Sequence, residues 1–308
     1  MLGGLNTAML ASTGVFVEDV ASWKSNVESD GGEVSQKTLE ALNIFIITLK
    51  VNNIRNKIKR CNLFCGSNLR ASLHPIIVGD SDRSIGYLKD KNFGFAEYDY
   101  SEMGGLSAAG ALSAPNSSTA LGGLGSKYLE TDVFLSSVDM SSSYGHLSFM
   151  STSADISLSS VGGYMMPLCG GDYSTVNDLS SYIEFNSDQI LKAGSPSSFA
   201  PGSSNGYVRK ENVNSVGGFW LANRTSNINQ KLYKDAVEYD DSDATSNQSA
   251  YPIGGYKFRI FGAYSGGQVT QTSIYKLLFY SMGAELTETE ITVLNGALTK
   301  FNSSLGRI

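Results

Sequence analysis

The sequence predicts a mainly β protein, a two-sheet sandwich with an N-terminal helical module and a single C-terminal helix. Three observations predict it. Short apolar and aromatic runs recur between polar turns from Lys127 onward. Glycine contributes 33 residues and charged residues only 17%, a composition that suits tight turns and not a helical bundle. Helical periodicity is confined to the two ends of the chain.

Taken in order, residues 1–20 are small and weakly apolar and read as a terminal arm, one that either stays unordered or is ordered by a partner. No signal peptide is evident there, because a basic leader is missing and Gly3, Gly4, Asn6 and Thr7 interrupt the apolar residues. Residues 21–66 read as the helical module. Leu39, Leu42, Phe45, Ile46 and Leu49 recur every three or four positions behind Ser35, which predicts a helix to about residue 50 with Ser35 as its N-cap. A shorter helix is expected over 53–60. Isolated helices of this length are marginal, so the module should bury its apolar face against the sandwich.

The sandwich is expected over 67–308. Leu73–Val78 reads as a hydrophobic turn, Phe93–Tyr100 as an aromatic stretch, and Met103–Gly125 as a long loop rich in Gly, Ala and Ser. Strands are expected at 128–133, 147–151, 154–158, 164–169, 182–185, 206–208, 217–223, 230–233, 258–264 and 274–280. Asp235 is placed to turn a hairpin over 233–238. Phe149, Phe185, Phe219, Phe258, Phe261 and Phe279 are expected in the core. Strand alternation sends Phe219 and Trp220 to opposite faces, one into the core and the other under a helix or loop. A helix over 287–303 closes the chain. Thr287 and Glu290 have capping-box spacing, and Ile291, Leu294, Leu298 and Phe301 share one face.

Several function classes are disfavoured. The net charge is −6, and phosphate backbones need clustered Lys and Arg. The one local exception is Lys50, Arg55, Lys57, Lys59, Arg60 and Arg70, a stretch without acidic residues that fits a solvated helix face and has few aromatics for base stacking. The longest apolar run, Ile44–Leu49, is too short to span a bilayer. Three cysteines (Cys61, Cys65 and Cys169) and two histidines (His74 and His146) offer neither a closed disulfide framework nor a zinc signature. Neither histidine sits in a nucleophile motif. Carboxylate pairs from distant strands remain open as glycosidase candidates, although strand 219–223 carries no acid. Four Asn-x-Ser/Thr sequons, at Asn116, Asn223, Asn247 and Asn302, match what this composition produces by chance.

Two site candidates stand out. Tyr98, Tyr100, Tyr144, Tyr173, Tyr207 and Tyr251 lie at turns or loop edges, where an apolar ring with a polar tip suits a saccharide; ordinary surface packing competes for each. Asp240, Asp241 and Asp243, next to Glu238, supply hard oxygens for a calcium ion. They lack the glycine and terminal glutamate of an EF-hand loop, and a solvated acidic turn competes.

The apolar strand 274–280, the segment Gly283-Ala-Glu-Leu-Thr-Glu-Thr-Glu290 and the closing Leu305-Gly-Arg307 resemble the end of LamG-like, concanavalin A-like sandwich proteins encoded by tailed bacteriophages. Similar segments lie upstream: Ala21–Val27 with Gly31-Gly32, Lys57–Phe64, Gly122–Thr131, His146–Thr152, Phe219–Ser226 and Lys231–Asp235. The resemblance implies a jelly-roll sandwich and a non-enzymatic virion protein made in the bacterial cytoplasm and exposed on capsid, tail or fibre. It implies other virion proteins as partners, repeated copies of the chain, and contact with host or environmental glycans; the net charge and the short apolar runs argue against a nucleic-acid partner and membrane insertion. A carbohydrate-binding adhesin is the alternative, and a glycan depolymerase a third reading.

Overall fold

A computed structural model of the chain describes residues 16–79, 89–108, 127–131, 145–152, 165–170, 179–185, 191–198, 208–210, 213, 215, 217–226, 229–239, 258–265, 268–272 and 276–308. The protein is mainly β, with antiparallel sheets and a few helices. In chain order the described elements are α1 (Glu18–Ser29), α2 (Gln36–Val51), β1 (Ile58–Asn62), α3 (Leu69–Ser72), β2 (Ile77–Val78), β3 (Lys91–Phe93), a 3-10 turn (Glu97–Asp99), β4 (Tyr100–Ser101), β5 (Gly105–Ser107), β6 (Tyr128–Thr131) and β7 (Gly145–Ser151). They continue with β8 (Met165–Gly170), β9 (Leu179–Phe185), β10 (Leu191–Ser198), β11 (Val208–Lys210), β12 (Gly218–Ser226), β13 (Asn229–Lys234), β14 (Val237–Glu238), β15 (Phe258–Ile260), β16 (Gly262–Ser265), β17 (Gln268–Thr272), β18 (Lys276–Gly283) and α4 (Glu288–Leu305).

Two large sheets form. The first runs β14-β13-β12-β7-β18-β1-β2, with β5 also on β18 and β4 on β5; the second runs β11-β10-β9-β8-β15-β6-β3; β16 and β17 pair separately. Between the sheets lies one core, which includes Trp220, Phe149, Tyr280 and Leu147 of the first sheet and Leu129, Phe258 and Ile260 of the second. The opposite face of the first sheet carries Phe219, Leu221, Leu278 and Phe279, and α1, α2 and α4 cover it with Trp23, Leu42, Phe45, Leu294, Leu298 and Phe301. Phe219 and Trp220 thus divide between the two faces as alternation requires. Burying one such side chain contributes on the order of 2 kcal/mol, so both faces of this sheet hold the fold together.

Local signals placed the helices. Ser35 Oγ accepts from the Thr38 amide at 3.1 Å, capping α2. Thr287 Oγ1 accepts from the Glu290 amide (3.3 Å) and Glu290 Oε2 from the Thr287 amide (2.7 Å), completing the reciprocal box at the start of α4. This helix stops at Gly306, whose φ of 79° is left-handed. The hairpin at Asp235 is a two-residue turn with φ of 50° at Asp235 and 67° at Ala236, the primed geometry that matches strand twist.

Four expectations are corrected. Of the arm expected over 1–20, residues 1–15 lie outside the described residues, and 18–20 belong to α1, which starts at Glu18 and buries Val20, Trp23 and Val27 along one face. The expected helix over 53–60 is a turn followed by β1, because Ile58 and Asn62 pair with Gly283 and Tyr280 of β18. A side chain at Gly283 would lie 2.1 Å from Lys57 O, so glycine is what lets these strands close. Since β1 is a strand of the first sheet, 21–66 is not a purely helical module. The single strand expected at 258–264 breaks at Phe261, which has φ of 71° and packs on Phe95 at 5.2 Å, sending the chain from β15 into β16. The expected strand 154–158 lies outside the described residues.

Candidate functional site

Among the described residues, two polar clusters have the residue types of catalytic sites, and both are fully buried. On adjacent β7 and β18, His146 Nδ1 lies 2.6 Å from Ala284 O, so Nδ1 carries the proton and donates; Nε2 accepts from Ser281 Oγ at 3.0 Å, which lies 2.7 Å from Ser148 Oγ. The order is that of a serine–histidine dyad oriented by a carbonyl. All three side chains have no exposed surface, however, and burial pushes the His146 pKa down to about 4, keeping the ring neutral. This cluster ties β7, β18 and the approach to α4 together.

Between the sheets, Asp90 accepts from Arg60 Nη2 (2.7 Å), Tyr280 Oη (2.7 Å) and Asn62 Nδ2 (2.9 Å). Burial, with the Asp90 charge beside it, pushes the Tyr280 phenol well above its ordinary value, so it stays a donor. Asn62 also donates to Ser72 O at 2.9 Å and accepts from the Phe64 amide at 2.8 Å. The cluster pins the segment before β3 to the centre of the first sheet.

The basic run does not form an open face. Lys50 and Arg55 both bind Asp19 (2.7 and 2.5 Å), Lys57 binds Glu290 (2.7 Å), and Arg70 donates to Asp30 O (3.2 Å). Burial raises the Asp19 pKa, but the hydrogen bonds from Lys50 and Arg55 outweigh it and hold the carboxyl below its usual range. Acids distant in sequence thus pair with Lys50, Arg55, Lys57 and Arg60. Among the described residues no helix is long and apolar enough to cross a membrane, and no group of three or more His, Cys, Asp or Glu could hold a metal ion.

The two described tyrosines of the saccharide set separate sharply. Tyr100 is 8% exposed and its hydroxyl donates to Gly66 O at 2.5 Å, which removes it from any surface platform. Tyr98 is 83% exposed. Tyr144, Tyr173, Tyr207 and Tyr251 lie outside the described residues, as do Asp240, Asp241 and Asp243 of the calcium candidate. Glu238, next to that acidic run, is exposed and binds Lys231 Nζ at 2.6 Å.

The chain around Tyr98 is locked. Asn92 spans a turn with Nδ2 to Phe95 O and Oδ1 from the Phe95 amide, both at 2.9 Å. Asp99 Oδ2 accepts from the Ala96 amide at 2.8 Å and Oδ1 from Lys127 Nζ at 2.5 Å. Glu97 Oε2 accepts from the Leu69 amide at 2.9 Å, tying the 3-10 turn to α3. Lys127 Nζ also sits 5.1 Å from the Tyr98 ring centre. Next along the edge of the second sheet, Phe93 and Tyr128 stack at 4.6 Å and 5°, with Lys91 Nζ 5.2 Å from the Phe93 ring. Both rings are partly exposed. Residue type alone marked Tyr98; the pairing of Phe93 with Tyr128 across β3 and β6 had no signal within either segment.

No family model matches the chain, and no curated protein matches it. Among solved structures it is similar to a Trypanosoma rangeli sialidase in complex with 2,3-difluoro-KDN, at 10% identity and a TM-score of 0.44, covering 83% of this chain and 39% of that one. It is similar also to a T. rangeli sialidase in complex with 2,3-difluorosialic acid (15% identity, TM-score 0.33, 50% of this chain and 23% of that one). A third is the CBM40 of a Ruminococcus gnavus IT-sialidase bound to α2,3 sialyllactose (11% identity, TM-score 0.34, 51% of this chain and 83% of that one). The chain spans less than a quarter of the sialidase it matches over 23% of that protein's length. At these scores the functional reading rests on this chain's own residues.

Proposed function

We propose that the chain is a non-catalytic, saccharide-recognising sandwich of concanavalin A-like type, carried on a bacteriophage particle in repeated copies beside other virion proteins. Its contact surface is the Tyr98 edge of the second sheet. The observation that carries the saccharide reading is a large aromatic side chain, 83% exposed, on a turn whose flanking side chains are all engaged. Such a ring is held ready for the apolar face of a sugar, and little side-chain or loop freedom remains to be lost on binding. The partly exposed Phe93–Tyr128 stack extends the apolar surface, and Lys91 offers a donor at its rim. The virion reading is supported by the resemblance of the Thr287–Glu290 and Leu305–Arg307 segments, which cap and close α4.

The saccharide reading is tested by measuring the purified chain and its Tyr98→Ala variant on an array of bacterial surface glycans. Binding should fall about tenfold, equivalent to about 1.4 kcal/mol, with an unchanged melting temperature. Equal binding by both proteins refutes this surface, and release of reducing ends would replace a binding role with a depolymerase. Immunogold labelling of purified particles tests the second half. Label on head, tail or fibre supports it, and bare particles refute it.

A further inference from the structure

An opening lies on the helix-covered side of the first sheet, between α4 and the β13–β14 turn beside the start of β12, with a volume of roughly 620 Å³, within the range of small-molecule sites. Its floor is Met150, 6% exposed, over the fully buried Leu278, and Ile308, 61% exposed, adds apolar surface at the rim. Its walls are polar. Asn62, Asn223 and Asn302 all spend their side-chain amides on internal partners. Asn295 and Thr299, one turn apart on α4, and Thr152, just past β7, line the opening and make no side-chain hydrogen bond among the described residues.

Opposite them stands Asp235, on a fixed backbone. Its Oδ1 accepts from the Phe219 amide at 2.9 Å, its own amide donates to Phe219 O at 2.8 Å, and Oδ2 has no partner among the described residues. Gly218, at φ of 99°, makes this approach possible: a Cβ there would fall 2.7 Å from Asp235 Oδ1. The groove's cations are committed elsewhere. Lys234 Nζ sits 5.0 Å from the Trp220 ring, and the Arg307 guanidinium donates to Glu102 O, Leu63 O and Phe64 O.

We propose that this groove is a second ligand site that takes a neutral, hydroxyl-rich molecule, a short saccharide. One carboxamide, two hydroxyls and a carboxylate oxygen, without partners among the described residues and beside the apolar Met150 and Ile308, supply the mixed donors and acceptors that sugar hydroxyls use. With Asp235 present and the described lining cations, Lys234 and Arg307, committed, an acidic ligand is disfavoured. The inference shares the saccharide class with the proposed function, but it rests on a disjoint set of residues.

Isothermal titration with neutral probes (maltose, cellobiose, lactose and their trisaccharides) tests it, with sialyllactose as the acidic probe. At least one neutral probe should bind the intact chain. Asn295→Ala/Thr299→Ala should weaken it tenfold or more, while Tyr98→Ala changes it less than twofold. Neither α4 residue has a side-chain bond to lose among the described residues, so circular dichroism and melting should match the parent. Asp235→Asn keeps the Oδ1 acceptor and should weaken binding severalfold. No binding of any neutral probe, binding unaffected by the double substitution, loss that follows Tyr98→Ala instead, or tighter binding of sialyllactose than of every neutral probe would each overturn the proposal. Failure of the Tyr98 surface alone would leave binding sensitive to Asn295 and Thr299 intact.

Discussion

Removing the Arg307 side chain should damage this fold severely, because one residue joins three segments distant in sequence. It follows the helix-ending Gly306, is almost fully buried, and donates from Nε to Glu102 O at 2.6 Å, from Nη1 to Leu63 O at 3.0 Å and from Nη2 to Phe64 O at 2.8 Å. One planar fork thus joins the end of α4 to the segment after β1 and to the turn before β5. A hydrogen bond from a charged donor is worth about 1.5–3 kcal/mol net. Three at the lower end give roughly 4.5 kcal/mol, and water entering from the partly open rim returns some of it. Arg307→Ala should therefore cost about 3–4 kcal/mol, and Arg307→Lys about 2 kcal/mol, because one ammonium cannot meet three diverging carbonyls. Guanidinium titration followed by fluorescence of buried Trp23 and Trp220 reads the change as a shift in midpoint at constant slope. A loss below about 1 kcal/mol for alanine, or a lysine variant equal to the parent, would refute the reasoning.

Three further outcomes follow from individual contacts. His146 has a folded pKa of about 4 against an ordinary 6.5, so the unfolded chain takes up the proton first as pH falls. Its stabilisation is complete above pH 6.5 and is lost on descending to about pH 4, a change of about 3 kcal/mol; His146→Gln should flatten that window in pH-resolved denaturation, and an unchanged profile would refute the assignment. Gly296 is exposed within α4 with nothing within 4 Å of where a Cβ would sit, so Gly296→Ala should stabilise by up to about 1 kcal/mol; a lowered melting temperature would mean the site is not open. Glu290→Ala removes the box to Thr287 and the contact to Lys57 and should cost about 1–2 kcal/mol, whereas Glu290→Gln retains the box and should cost less than half of that; equal costs would assign the effect to charge alone.

The sequence by itself determined what is settled within a few residues: the caps at Ser35 and Thr287, the two-residue turn at Asp235, the division of Phe219 from Trp220, and the apolar face of α4. Each depends on hydrogen bonds or periodicities that close within one or two turns of chain. Even α1 was legible in principle, from Val20, Trp23 and Val27 at helical spacing. Only the tertiary structure decided that 58–62 is a strand, since its partner β18 lies more than 200 residues away. Only it decided that the basic run is consumed by Asp19, Asp90 and Glu290. Tyr98 and Tyr100 make the point most directly. They are the same residue type two positions apart, yet one is buried because the Gly66 carbonyl, 34 residues earlier, meets its hydroxyl, while the other stands in solvent on a turn held by Lys127 and Leu69. Burial and partnership are properties of the residues that arrive from elsewhere, and no local window contains them.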